Sequence, residues 1–163
     1  MRTHTEYEEI TDAINAVADE VNTILDDRSK ERYFAGLILL YSLIENLVKW
    51  MVFVKLLWEF NRELSNREIL NHRIFCKRLS FYNALQISFS IGLFDWKFFK
   101  RLDGIRIERN DVIHQLWLYT HRGDYRVLRK KLEKVARVTD QLLDVFNALT
   151  EIVGVDEVYE LFL

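Results

Sequence analysis

The run Arg106-Ile107-Glu108-Arg109-Asn110-Asp111-Val112-Ile113-His114-Gln115-Leu116-Trp117 sets arginines, an amide, acids and a histidine among apolar neighbours. A histidine titrates close to neutrality and can take or give a proton. An arginine offers a planar, permanently charged fork to phosphate oxygens. Together these groups suit proton transfer beside a phosphate. The plainer reading of His114 by itself is a hydrogen-bonded structural histidine, so its partners decide between the two.

On an ideal helix, with about 100° per residue, Asn110 and His114 lie one turn apart on the same face and Trp117 continues the row. Asn110 can then orient the imidazole. By the same geometry Arg109 stands about 140° from His114, on the row of Ile113 and Leu116. Its charge reaches the histidine only through the length of its side chain, an irregularity in the helix, or a second copy of the chain.

The order Arg109, then the polar Asn110, three further residues and His114 resembles the signature of the HEPN (higher eukaryote and prokaryote nucleotide-binding) superfamily. The resemblance maps the family arginine to Arg109, the polar position to Asn110 and the histidine to His114. It implies a metal-independent endoribonuclease that leaves a 2′,3′-cyclic phosphate and a 5′-hydroxyl. In that scheme His114 handles the proton of the ribose 2′-hydroxyl, and Arg109 stabilises charge on the phosphate. Active members pair two motif helices across a homodimer, so the resemblance implies RNA as substrate and an interface lined by residues 105–118. Arg106, Asp111 and Glu45 are expected to support the site or bind substrate. Toxin members encoded beside nucleotidyltransferase antitoxins commonly carry tyrosine two residues after the histidine; here that place is Leu116, a departure from that subgroup. An antitoxin protein is a further expected partner. The alternatives are a catalytically inactive HEPN helical module that binds a nucleotide, RNA or a protein, and a helical oligomerisation domain in which the motif is accidental.

Spacing alone does not single out this motif. Arg67-Glu-Ile-Leu-Asn-His72 repeats it, but Glu68 replaces the neutral polar residue and the setting is hydrophilic. Glu45 and Asn46 are the unusual members of the most apolar stretch. Glu45 either pairs with Lys49 one turn on, the commoner arrangement, or faces the motif helix and holds one of its arginines, as a buried carboxylate demands.

The elements that must position these residues are helical. The 163 residues include no proline and only five glycines, which removes the usual punctuation of hairpins and sheets. An all-α fold is expected: an antiparallel bundle of four to five main helices with short extra helices, in one domain over residues 1–163. The lone Cys76 excludes an intrachain disulfide and fits a reducing compartment. The acidic N-terminus lacks an apolar h-region, so a cytoplasmic protein is expected. Tyr33 to Trp58 is apolar, but Glu45, Asn46, Lys49 and Lys55 interrupt it, which favours a buried core helix over a membrane span. No zinc spacing joins Cys76, His72, His114 and His121, and no glycine-rich phosphate loop is present. No cofactor or metal is expected.

Net charge is −2, yet its distribution is uneven. Residues 97–137 hold 12 basic and 5 acidic groups, whereas residues 1–31 and 138–163 each carry −6. The motif therefore lies in the most positive block, the footprint expected where a polyanion docks. Folding back of the acidic ends is the competing explanation.

In chain order, periodicity predicts a helix over 5–26, a second from Ser29 or Lys30 to about Asn61, and a polar connector to Lys77 with a short helix at 66–73. A third long helix is expected over 78–91, ending near Gly92. Asp95 should cap the motif helix, which Gly104 either kinks or restarts. A turn is expected at 119–124, then a long helix from Tyr125 to about Val153, stopped by Gly154. A short terminal helix from Asp156 should end in the apolar tail Leu161-Phe162-Leu163.

Overall fold

The computed structural model describes residues 4–27, 30–59, 65–115, 119 and 125–153. Among these residues the fold is all-α with no strand. The helices are α1 (His4–Asp26), a 3₁₀ turn (Lys30–Arg32), α2 (Tyr33–Glu59), α3 (Asn66–Arg78), α4 (Phe81–Ser90), α5 (Trp96–His114) and α6 (Tyr125–Val153).

α2 is the axis of the bundle. It is apolar nearly all round, the pattern of a helix enclosed by others, and it packs against each of the other five. By length and hydropathy alone Lys30–Glu59 could cross a membrane, but more than half of its most apolar window is buried inside the bundle. α6 shows the opposite pattern. Leu128, Leu132, Val135, Val138, Leu142, Phe146, Leu149 and Val153 recur every three or four residues and are buried, so one stripe faces α2 and the rest faces solvent. Each such side chain contributes about 1.5–3 kcal/mol by leaving water, so the α2–α6 seam contributes strongly to stability. Trp50 and Phe146 close it, with ring centroids 5.1 Å apart.

Gly36 sits where α1, α2 and α6 meet. A Cβ there would lie 3.2 Å from the Leu132 methyls and 3.3 Å from Ile24 Cδ1, so the missing side chain permits the close approach of these helices.

Three boundaries differ from expectation. The polar connector contains a full helix, α3, because Ser65 and Glu68 form a reciprocal capping box at its start and Cys76 is buried on its inner face. The expected helix over 78–91 is divided at Leu79 and Ser80, where the Ser80 hydroxyl accepts from the Asn83 amide at 3.1 Å and starts α4 anew. Gly104 does not restart the motif helix; α5 runs unbroken from Trp96 to His114.

Other expectations hold. Gly92, at φ 72°, follows the end of α4. Asp95 caps α5, its side chain accepting from the Phe98 amide at 2.6 Å. α6 starts at Tyr125 and ends at Val153 as anticipated. The expected turn at 119–124, apart from Tyr119, lies outside the described residues, as do Gly154, the short terminal helix and the apolar tail.

Candidate active site on the fifth helix

α5 is held to the bundle by Phe99, Leu102, Ile105 and Val112, all buried. These residues fix which way the motif side chains point. Asn110, Asp111 and His114 lie on the exposed face. Arg109 points the other way, toward α2.

Arg109 Nη1 donates to Glu45 Oε2 at 2.7 Å, and Lys49 Nζ donates to the other carboxylate oxygen, Oε1, at 2.7 Å. The two readings of Glu45 are therefore both realised, one on each oxygen. Glu45 is 20% exposed and Arg109 33%. The pair is shielded enough for its charges to matter and open enough for the guanidinium to meet solvent. A carboxylate taken this far from water needs such partners.

A second carboxylate anchors α5 from the other side. Glu108 accepts from Lys134 Nζ at 2.6 Å and lies 3.4 Å from Lys131 Nζ, both on α6. Arg101 Nη1 adds a hydrogen bond to Gln141 at 2.8 Å. Part of the positive charge around the motif is thus spent within the bundle. Nothing in local sequence pairs Glu108 with lysines more than twenty residues away, and these ties emerge only from the fold.

Arg106 turns outward along its own helix. Its Nε donates to Asp103 at 2.8 Å, and its guanidinium lies 4.9 Å from the centre of the Tyr82 ring. The expected bond from Asn110 to the imidazole is not formed; among the described residues no side-chain hydrogen bond joins Asn110 to His114. Being exposed on the same face, they remain available together to a molecule that docks there.

Tyr41, on α2, carries a polar group into the core. It is buried, and its hydroxyl has no hydrogen-bond partner among the described residues. Burial, reinforced by the nearby negative charge of Glu108, pushes its pKa up, while Arg109 pulls it down. Tyr41 therefore lies within the electrostatic reach of both motif charges.

A cavity of about 540 Å³ lies between α1, α2 and α3 and is lined in part by Lys49, Trp50, Phe53 and Cys76. Neither Arg109 nor His114 lines it; Lys49 alone connects it to the Glu45 pair. Among the described residues no three metal-ligating side chains converge.

The chemistry on offer is thus an exposed imidazole and amide on one face of α5, with a half-exposed guanidinium held on another. α5 is continuous through both residues, and on an ideal helix Arg109 and His114 stand roughly 140° apart. No protein-family model matches this sequence, and no curated protein or solved structure matches it.

Proposed function

We propose that the chain is a metal-independent endoribonuclease of HEPN type, working in the cytoplasm as a homodimer. In this reading His114 of one subunit and Arg109 of the other act on one RNA phosphodiester. The observation that carries it is the setting of Arg109: Glu45, whose other oxygen is taken by Lys49, holds the partly exposed guanidinium while His114 and Asn110 stand in solvent on another face of the helix. Helical geometry sets Arg109 and His114 about 140° apart and Glu45 holds the guanidinium toward α2, which favours a second copy as the route by which they meet. Ile107 and Ile113, exposed beside the histidine, supply apolar area for that pairing.

The imidazole takes the 2′-hydroxyl proton as that oxygen attacks phosphorus. The guanidinium neutralises charge gathering on the phosphate oxygens. The 5′-oxygen leaves and takes up a proton, giving a 2′,3′-cyclic phosphate and a 5′-hydroxyl. A toxin–antitoxin or defence role, with an antitoxin as further partner, accords with such an activity.

Incubation of end-labelled RNA in EDTA with the wild type, Arg109→Ala and His114→Ala tests the proposal. Cleavage to a cyclic phosphate by the wild type, lost in both variants, is the expected result. Equal cleavage in all three samples, or none in any, removes the enzyme. One observation favours a second reading, a non-catalytic helical module that binds RNA: within the single chain Arg109 and Arg106 are each engaged by a carboxylate, Glu45 and Asp103. RNA retained on the protein without cleavage would select it.

A further inference from the structure

The end of α5 remote from His114 carries a different surface. Trp96 opens the helix 56% exposed, and Phe89 and Tyr82 on α4 are 42% and 40% exposed. Trp96 stacks on Phe99 at 5.3 Å with 13° between the rings, and Phe89 lies 5.6 Å from Trp96. Cations interleave with these rings: Lys100 Nζ is 4.8 Å from the centre of Trp96, and the Arg106 guanidinium 4.9 Å from that of Tyr82. A groove of about 340 Å³ runs between the two sets of side chains.

Aromatic faces left open to water are costly unless something covers them. Rings alternating with lysine and arginine match single-stranded nucleic acid, whose bases stack on any flat ring while its phosphates meet the cations. A second copy of the chain is a poorer fit. A two-fold contact through this face would set the same lysine-bearing surface, with Lys97 and Lys100 both exposed, against itself, whereas phosphates would neutralise it.

Position adds an independent argument. Trp96 and His114 are 18 residues apart on one unbroken helix, which at 3.6 residues per turn is five full turns, so they share an azimuth about 27 Å apart. Lys100, Asp103 and Ile107 fall within about 40° of that line; Lys100 and Ile107 are exposed, and the Asp103 carboxylate is taken by Arg106. At about 3.4 Å per stacked nucleotide the separation is that of roughly eight nucleotides, fewer if the strand is stretched.

We infer that the Tyr82–Phe89–Trp96 face, with Lys100 and Arg106, binds single-stranded RNA and leads it along α5 toward His114. The inference rests on RNA as the partner in the proposed function, and it does not require cleavage. Its test uses a fluorescein-labelled 12-nucleotide RNA of mixed sequence, 2′-O-methylated throughout so that internal attack is blocked, with fluorescence anisotropy as the readout. Trp96→Ala and Lys100→Glu should each weaken binding about five- to a hundred-fold, and Trp96→Phe, which keeps a ring, should retain most of it. Circular dichroism and light scattering on the same samples report the fold and the oligomeric state.

Equal affinity in the wild type, Trp96→Ala and Lys100→Glu overturns the inference even if the wild type cleaves RNA in EDTA. Trp96-dependent binding without any cleavage upholds it while the nuclease reading falls. A change of oligomeric state in Trp96→Ala with unchanged RNA affinity makes this face a protein contact and overturns it as well, and so does a wild type that fails to bind the RNA.

Discussion

Glu45 and Arg109 stand 64 positions apart in the chain and meet at 2.7 Å, with the second oxygen of the same carboxylate taken by Lys49. One acid on the central helix thereby orients the guanidinium of the candidate motif and ties α5 to α2. Its removal should be felt in both stability and activity.

Glu45→Gln should lower the unfolding free energy by about 1–2 kcal/mol, the value of a charged hydrogen bond reduced for solvent screening at a half-exposed pair. Urea denaturation measures it. A double-mutant cycle with Arg109→Gln should show coupling of about 0.5–1 kcal/mol. Additive single-mutant effects would mean that the contact contributes nothing.

If the cleft is shared, Arg109→Ala and His114→Ala should complement each other. After unfolding and refolding together, half of the dimers are mixed. Each mixed dimer rebuilds one of its two sites, so the mixture should recover about a quarter of wild-type cleavage. A cleft within one chain gives no recovery.

Tyr41→Phe should be neutral or stabilising by up to about 1 kcal/mol, because it removes a buried hydroxyl without a hydrogen-bond partner among the described residues. Its pH dependence has a definite sign. The folded-state pKa of Tyr41 is raised by burial, so the stability linked to its proton is full below the ordinary tyrosine value near 10 and is lost progressively as pH rises beyond it. The wild type should therefore lose stability above pH ~10 more steeply than Tyr41→Phe. Parallel profiles in chemical denaturation would contradict this.

Cys76 is buried and its thiol is pushed up to about 11 by that burial. Thiolate is the reactive form, so iodoacetamide at pH 8 should modify native protein far more slowly than protein in urea. Comparable rates, followed by mass spectrometry, would place the thiol in solvent.

The helices that sequence reasoning located well are those whose burial follows a period. α6 was legible at both ends because Leu128 through Val153 mark one stripe without interruption. α3 was only half legible because few of its side chains face the bundle, so its pattern is polar; the Ser65–Glu68 spacing of a capping box was the available signal. The break before α4 hinged on Ser80 acting as a cap within an otherwise helical run. At the site, the splay of Arg109 and His114 followed from helical geometry alone. The Glu108 ties to Lys131 and Lys134, and the situation of Tyr41, depend on how distant helices dock, and no local pattern encodes that.

Gly104 lies on the solvent side of α5, and a Cβ there would touch nothing within 4 Å. Alanine at this position should raise stability by about 1 kcal/mol, since glycine inside a helix holds down the unfolded chain's disorder least well. The chain thus keeps a notch of naked main chain about midway along α5, roughly 80° round the helix from the line joining Trp96 and His114. Whatever molecule lies along that helix can approach its axis more closely at this notch than beside any residue that bears a side chain.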